Sequence, residues 1–249
     1  MTTENSKHDA VWSTLYHDIT GVQIRDEAWE QTRKRLKEVI TWVNLNHGTT
    51  FKEFDWQIDA AASVILGYDV TVIAATSDGK SFCYQLIAML ESNRTLLVIC
   101  PLIALMVEQV LKNTALGITA CHLNAAELRT KPELLDEVSR GLYQVVFVCP
   151  EFMDPKDKRF MRITGIAKKS VFASKLMGIV VDEAHLVYIW RNFRYVNSCQ
   201  SNRLVLTFNE APNMRLYLGC ACFGQRLQYL RLLRLWDPMS GSMFIKVWK

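Results

Sequence analysis

The chain has 249 residues, half of them hydrophobic and 22% charged, with a formal net charge of +4. That is the composition of a globular chain long enough to bury one full α/β core, and so mild a positive excess neither requires nor forbids nucleic acid. No run reaches the ~18 uncharged apolar residues of a membrane span, and seven cysteines, mostly set in apolar runs, exclude a secreted disulfide scaffold.

In chain order, residues 1–10 are polar, and disorder is the expectation for them. Residues 26–46 place Trp29, Leu36, Ile40 and Val43 at helical spacing, with Lys and Arg on the other face. The basic run Arg33-Lys34-Arg35-Leu36-Lys37 within it reads as a solvated helix face, the alternatives being a nuclear address or a phosphate-binding patch. From about residue 50, helix-like stretches alternate with short apolar runs: Val70–Ala74, Leu96–Cys100, Gln144–Cys149, Gly178–Val181 and Arg215–Leu218. Strands without polar alternation are covered on both faces. Segments 81–92, 102–113 and 127–140 between them are long enough for crossover helices. The expected fold is therefore α/β, a parallel β-sheet sandwiched by helices, with ligands beyond the carboxyl ends of the strands. Residues 195–213 show no clear periodicity. Residues 225–236 fit a basic amphipathic helix, and 237–249 a loop leading into a truncated strand.

Two motifs carry chemistry. Ala74 to Ser81 fits [AG]-x4-G-K-[ST] directly after a strand. Gly79 lets the backbone turn close to phosphate, and the amides of Thr76, Ser77, Asp78, Gly79 and Lys80 face an anion at a helix start. Lys80 adds charge for the terminal phosphates, and the Ser81 hydroxyl suits Mg²⁺. Asp78 is a carboxylate beside that cradle: harmless if it points outward, repulsive to nucleotide if it points inward. The second motif, Asp182-Glu183-Ala184-His185, ends the run Met177–Val181. An acid there holds Mg²⁺ through Asp182, while Glu183 orients and deprotonates the attacking water. The plain alternative is a helix N-terminus rich in acids.

With the text between them, these motifs resemble RecQ-family helicases of superfamily 2 over about residues 51–194. Lys80-Ser81-Phe82-Cys83-Tyr84-Gln85-Leu86 resembles the family's G-K-S-L-C-Y-Q-L. Cys100-Pro101-Leu102-Ile103-Ala104-Leu105-Met106 with Gln109-Val110 resembles its DNA-touching S-P-L-I-A-L-M-x-D-Q-V, and Gly117 through Asn124 its G-I-x-A-x-x-L-N. Val146 through Glu151 resembles V-x-x-S-P-E. Gln57, 23 residues before Lys80, stands at the spacing of the adenine-reading glutamine. Trp190, Phe193 and Arg194 fall where the aromatic-rich loop meets single-stranded DNA, a composition suited to base stacking and phosphate contact. Packing on the core is the other reading of these aromatics. The loop is one residue short and lacks the family's histidine.

The resemblance implies a RecA-like P-loop NTPase fold with ATP and Mg²⁺ as cofactors and DNA as partner. The implied boundaries are a helical extension over 1–48, the ATP-binding lobe over 49–224, and a degenerate tail over 225–249. Lys80 and Glu183 take the catalytic roles, with Ser81 and Asp182 on the metal. Two departures stand out. The coupling motif T-A-T reads Cys220-Ala221-Cys222, without its hydroxyls. No second lobe with its arginine finger, worth about 10³–10⁵ in rate, is expected before Lys249. The leading expectation is an ATP-binding lobe of a 3′-to-5′ DNA-unwinding family that unwinds nothing alone, working with a partner that supplies the second lobe, soluble and nuclear. The alternative is a non-catalytic remnant that binds nucleic acid or protein. An unrelated P-loop NTPase is set aside by the K-S-F-C-Y-Q-L and P-L-I-A-L-M segments.

Overall fold

The computed structural model describes residues 26–74, 78–100, 102–149, 171–183, 215–220 and 242–246. The first element is helix α1 (Glu27–His47). The Asp26 carboxylate accepts from the Trp29 amide at 2.9 Å, and Gly48 ends the helix in the left-handed region at φ 62°. Both are the caps such residues favour. The buried stripe is the one read from the sequence: Trp29, Leu36, Ile40 and Val43, joined by Thr32. Each large apolar side chain buried this way contributes roughly 1.5–3 kcal/mol. On the outer face, Arg33 is not a free charge. It pairs with Asp55 at 3.1 Å and with Asp59, pinning α1 to α2 (Asp55–Ile65).

The sheet follows. Its strands are β1 (Asp69–Ile73), β2 (Thr95–Ile99), β3 (Ala120–Leu123), β4 (Val145–Val148), β5 (Leu176–Val181), β6 (Arg215–Cys220) and β7 (Ser242–Lys246). The order is β3-β4-β2-β5-β6-β1-β7, and every recorded pairing is parallel. All carboxyl ends therefore lie along one edge. The helices between the strands are α3 (Lys80–Leu90), α4 (Ile103–Ala115), α5 (Glu127–Thr130), α6 (Leu134–Ser139) and α7 (Val171–Lys175).

Side-chain alternation splits the core in two. Leu96, Val98 and Cys100 of the β2 segment, with Val145 and Phe147 of β4, join α1 to α4 on one face. Leu97, Ile99, Val146 and Val148 join Leu134, Leu135, Val138 and Phe172 from α6 and α7 on the other. Burial on both faces is why these strands read as unbroken apolar runs.

Two expectations change. The helix expected over 127–140 is broken into α5 and α6, because Lys131 precedes Pro132 and sits at φ −130°, ψ 76°. The proline ring excludes the helical region for the residue before it. Strand β3, not among the expected strands, borders β4 at one end of the sheet. The terminal strand is present as β7, hydrogen-bonded parallel to β1. Residues 1–10, 195–213 and 225–236 lie outside the described residues.

Candidate nucleotide site

The site is built where β1 and β5 end on the same edge of the sheet, one strand apart. After β1 the chain reaches Gly79, which is in the left-handed region at φ 76° and caps α3. A Cβ at Gly79 would stand 2.7 Å from Gln57 Nε2. The backbone angle calls for glycine at that position, and any side chain there would have to push the Gln57 amide aside.

Gln57 is the residue whose place the sequence least prepares. It is 3% exposed, at the start of α2. Its amide nitrogen donates to the carbonyls of Gly79 at 3.0 Å and Asp78 at 3.3 Å. Its amide oxygen accepts from the Phe54 backbone at 2.9 Å. Gln57 thus holds the phosphate loop from α2, a contact its spacing from Lys80 does not reveal. Asp78 is buried at 7% exposure, and its backbone carbonyl is one of the two that Gln57 holds.

Lys80 is buried and donates to the carbonyl of Ala74, 3.4 Å away, at the end of β1. Ser81 follows in the first turn of α3, half-buried. Thr76 and Ser77 lie outside the described residues. Across from Lys80, Asp182 directly follows β5. Its backbone amide is tied to the Ile99 carbonyl at 2.9 Å, and its carboxylate accepts from the Glu183 amide at 3.0 Å. Burial pushes the Asp182 carboxyl up from its ordinary 3.8 to about 6. The Glu183 carboxylate pushes the same way, and the Glu183 amide and the Lys80 charge oppose. Glu183 stands at φ 51°, the one non-glycine residue with positive φ among the described residues. Such strain costs about 1–3 kcal/mol and gathers at functional sites.

A half-buried acid beside a second acid, with a hydroxyl nearby, offers hard oxygen donors whose charge a divalent cation neutralises. The helix start and Lys80 suit a phosphate chain. The residues present therefore fit Mg²⁺ with a nucleoside triphosphate. Asp182, Ser81 and Lys80 meet at this edge, with Gln57 behind the loop. Trp190, Phe193, Arg194, His185 and the pair Ala221-Cys222 lie outside the described residues.

Tyr84 extends the site inward. It is fully buried and its hydroxyl donates to Gln109 Oε1 of α4 at 3.1 Å. Burial raises its pKa well above the usual value, the Asp182 charge adds, and the Ser81 and Asn113 side chains oppose. This links the phosphate-loop helix to α4, whose first turn is the I-A-L-M of the P-L-I-A-L-M segment. Beside it, burial chiefly pushes the Cys100 thiol up to about 12.

With this geometry in hand, the likeness to known proteins is specific. The DEAD/DEAH box helicase family model matches residues 54–224, well over half of the chain, and the chain belongs to that family. Its relatives include the ATP-dependent DNA helicase Q-like SIM of Arabidopsis thaliana, 33% identical over 208 residues, covering 80% of this chain and 22% of that one. The ATP-dependent DNA helicase RecQ of Haemophilus influenzae is 31% identical over 180 residues, covering 72% of this chain and 27% of that one. The chain thus spans only about a quarter of the length of these relatives. Among solved structures, helicase MrfA bound to DNA superposes with a TM-score of 0.60 at 15% identity, over 86% of this chain and 27% of that one. That likeness concerns the fold. The expected RecA-like α/β fold and the RecQ-type resemblance are both borne out, and the chain carries a DEAD/DEAH box helicase domain. Among the described residues, no helix is long and apolar enough to cross a membrane.

Proposed function

We propose that the chain binds ATP·Mg²⁺ as the first motor lobe of a RecQ-type DNA helicase. The observation that carries this is that the phosphate loop, with left-handed Gly79 and buried Lys80 opening α3 after β1, and the half-buried Asp182 after β5 lie at the same carboxyl edge of a parallel sheet. Lys80 and the amides from Thr76 to Ser81 bind phosphate. Ser81 and Asp182 hold the metal, Glu183 orients water, and Gln57 meets adenine after exchanging one of its loop contacts. Mg²⁺ would supply charge neutralisation on the transferring phosphoryl group.

The DNA contacts assigned to Trp190, Phe193 and Arg194 belong to this reading, as do residues 49–224 as the lobe boundary and a nuclear location. The family's 3′-to-5′ unwinding requires a second lobe to close on the nucleotide, from a partner protein if not from the same polypeptide. The remnant alternative is less favoured, because the relatives matched are helicases and the chain keeps Lys80, Ser81, Asp182 and Glu183.

Calorimetric titration of a non-hydrolysable ATP analogue, with and without Mg²⁺, tests this. Affinity should rise with Mg²⁺ in the wild type, and Asp182→Asn should lose that dependence. A folded wild type indifferent to Mg²⁺ would overturn the assignment.

A further inference from the structure

Cys100 and Cys149 each follow the last residue of a strand, β2 and β4. Those strands are neighbours in parallel register, with Ile99 opposite Val148. The next step of the register sets Cys100 opposite Cys149, and the Cys100 amide keeps the ladder bond to the Val148 carbonyl at 2.9 Å. The alternation of side chains places both on one face. Cys100 shares its core cluster with Leu96 and Val98, while Cys149, in step with Val145 and Phe147, packs against that cluster and, at the carboxyl edge of the sheet, also against the cluster of the other face. Neighbouring strands run about 4.7–4.9 Å apart, inside the roughly 4.4–6.8 Å window of Cα separations that a disulfide spans. Cys100 is buried and Cys149 is half-buried, so Cys149 is the more accessible residue of the pair.

We propose that Cys100 and Cys149 form a dithiol site that peroxides oxidise to an intramolecular disulfide. The Cys149 thiolate attacks one peroxide oxygen, the O–O bond breaks, and a sulfenic acid forms while the departing hydroxide takes a proton to become water. Cys100 Sγ then attacks Cys149 Sγ. The S–S bond forms, the S–O bond breaks, and a second water leaves with the Cys100 proton. Two thiols lose two electrons and one peroxide becomes two waters. The bond ties the ends of β2 and β4 together just before Leu102 opens α4, beside the strand that carries Asp182. It acts on the edge where the nucleotide site lies, yet uses none of that site's residues. Cys83 in α3 and Cys121 in β3, both buried, lie outside the pair.

The test is peptide mapping of the full chain after hydrogen peroxide, with remaining thiols alkylated in denaturant. The expected result is a Cys100–Cys149 cross-linked peptide that dithiothreitol reverses and that Cys149→Ser and Cys100→Ser each abolish, with Cys83 and Cys121 still alkylated. The wild-type map needs no variant to fold. Three results would overturn the proposal: an oxidised Cys149 beside an intact Cys100 thiol, either cysteine joined to a different one, or both thiols unchanged while the urea-unfolded chain oxidises.

Discussion

Replacing Asp182 with asparagine should make the protein more stable at neutral pH while removing the carboxylate proposed to hold Mg²⁺. The Asp182 carboxyl is raised from 3.8 to about 6, chiefly by burial. The folded chain therefore takes up this proton more readily than the unfolded chain does. Above about pH 6, ionised Asp182 opposes folding. At about 1.4 kcal/mol per pKa unit the opposition amounts to at most about 3 kcal/mol. It shrinks as pH falls from about 6 towards 3.8 and vanishes below that. Asparagine keeps an oxygen for the Glu183 amide and carries no charge, so Asp182→Asn should gain up to about 3 kcal/mol at pH 8. Urea unfolding of both chains across pH 4 to 8, read by tryptophan fluorescence, measures the gap. Saturating Mg²⁺ and ATP analogue should narrow or reverse it, since a ligand that binds only the folded wild type stabilises only that chain. A variant less stable at pH 8, or a gap that ignores pH, would refute the reasoning.

Other changes test neighbouring parts. Gln57→Ala removes the bonds to Asp78, Gly79 and Phe54; leaving buried backbone groups unmatched should cost about 1–3 kcal/mol, read by urea unfolding, and should reduce the preference for ATP over GTP in competition binding. Gly79→Ala forces a Cβ to 2.7 Å from Gln57 Nε2 at a left-handed φ, so nucleotide affinity should fall at least tenfold on titration, an outcome equivalent to about 1.4 kcal/mol. Tyr84→Phe leaves the ring against Phe147 but deletes the bond to Gln109; a loss of about 1 kcal/mol in thermal or urea unfolding is expected, with nucleotide affinity within twofold of wild type.

Much of this fold is legible in the sequence because it follows from burial. Strands β2, β4 and β5 are covered on both sides, and their apolar runs show it. The phosphate loop and the acidic box are legible because local backbone needs, a left-handed Gly79 and an acid at a strand end, leave marks in a few adjacent residues. What stays hidden is set by tertiary contact. Strand β3 is four residues with half-buried His122 in the middle, and its burial alternates, so it reads as loop. The break between α5 and α6 is marked by Pro132, yet the apolar spacing of Leu128, Leu134, Leu135 and Val138 runs on through it. The Gln57 clamp, the ion pairs of Arg33 and the pairing of Cys100 with Cys149 all depend on register or helix docking, which no local pattern encodes. Gln144 is a similar case. It receives the Thr119 amide at 2.8 Å and donates to the Ala88 carbonyl at 2.8 Å, joining three elements that are far apart in the chain.

The most direct test of the central claim is a titration of a fluorescent ATP analogue with Mg²⁺ into the purified wild-type chain and into Lys80→Ala. The account predicts saturable binding by the wild type and its loss, by at least tenfold in affinity, in the variant, with both chains giving the same far-ultraviolet circular dichroism. Equal binding by the two, or none by a folded wild type, would contradict it.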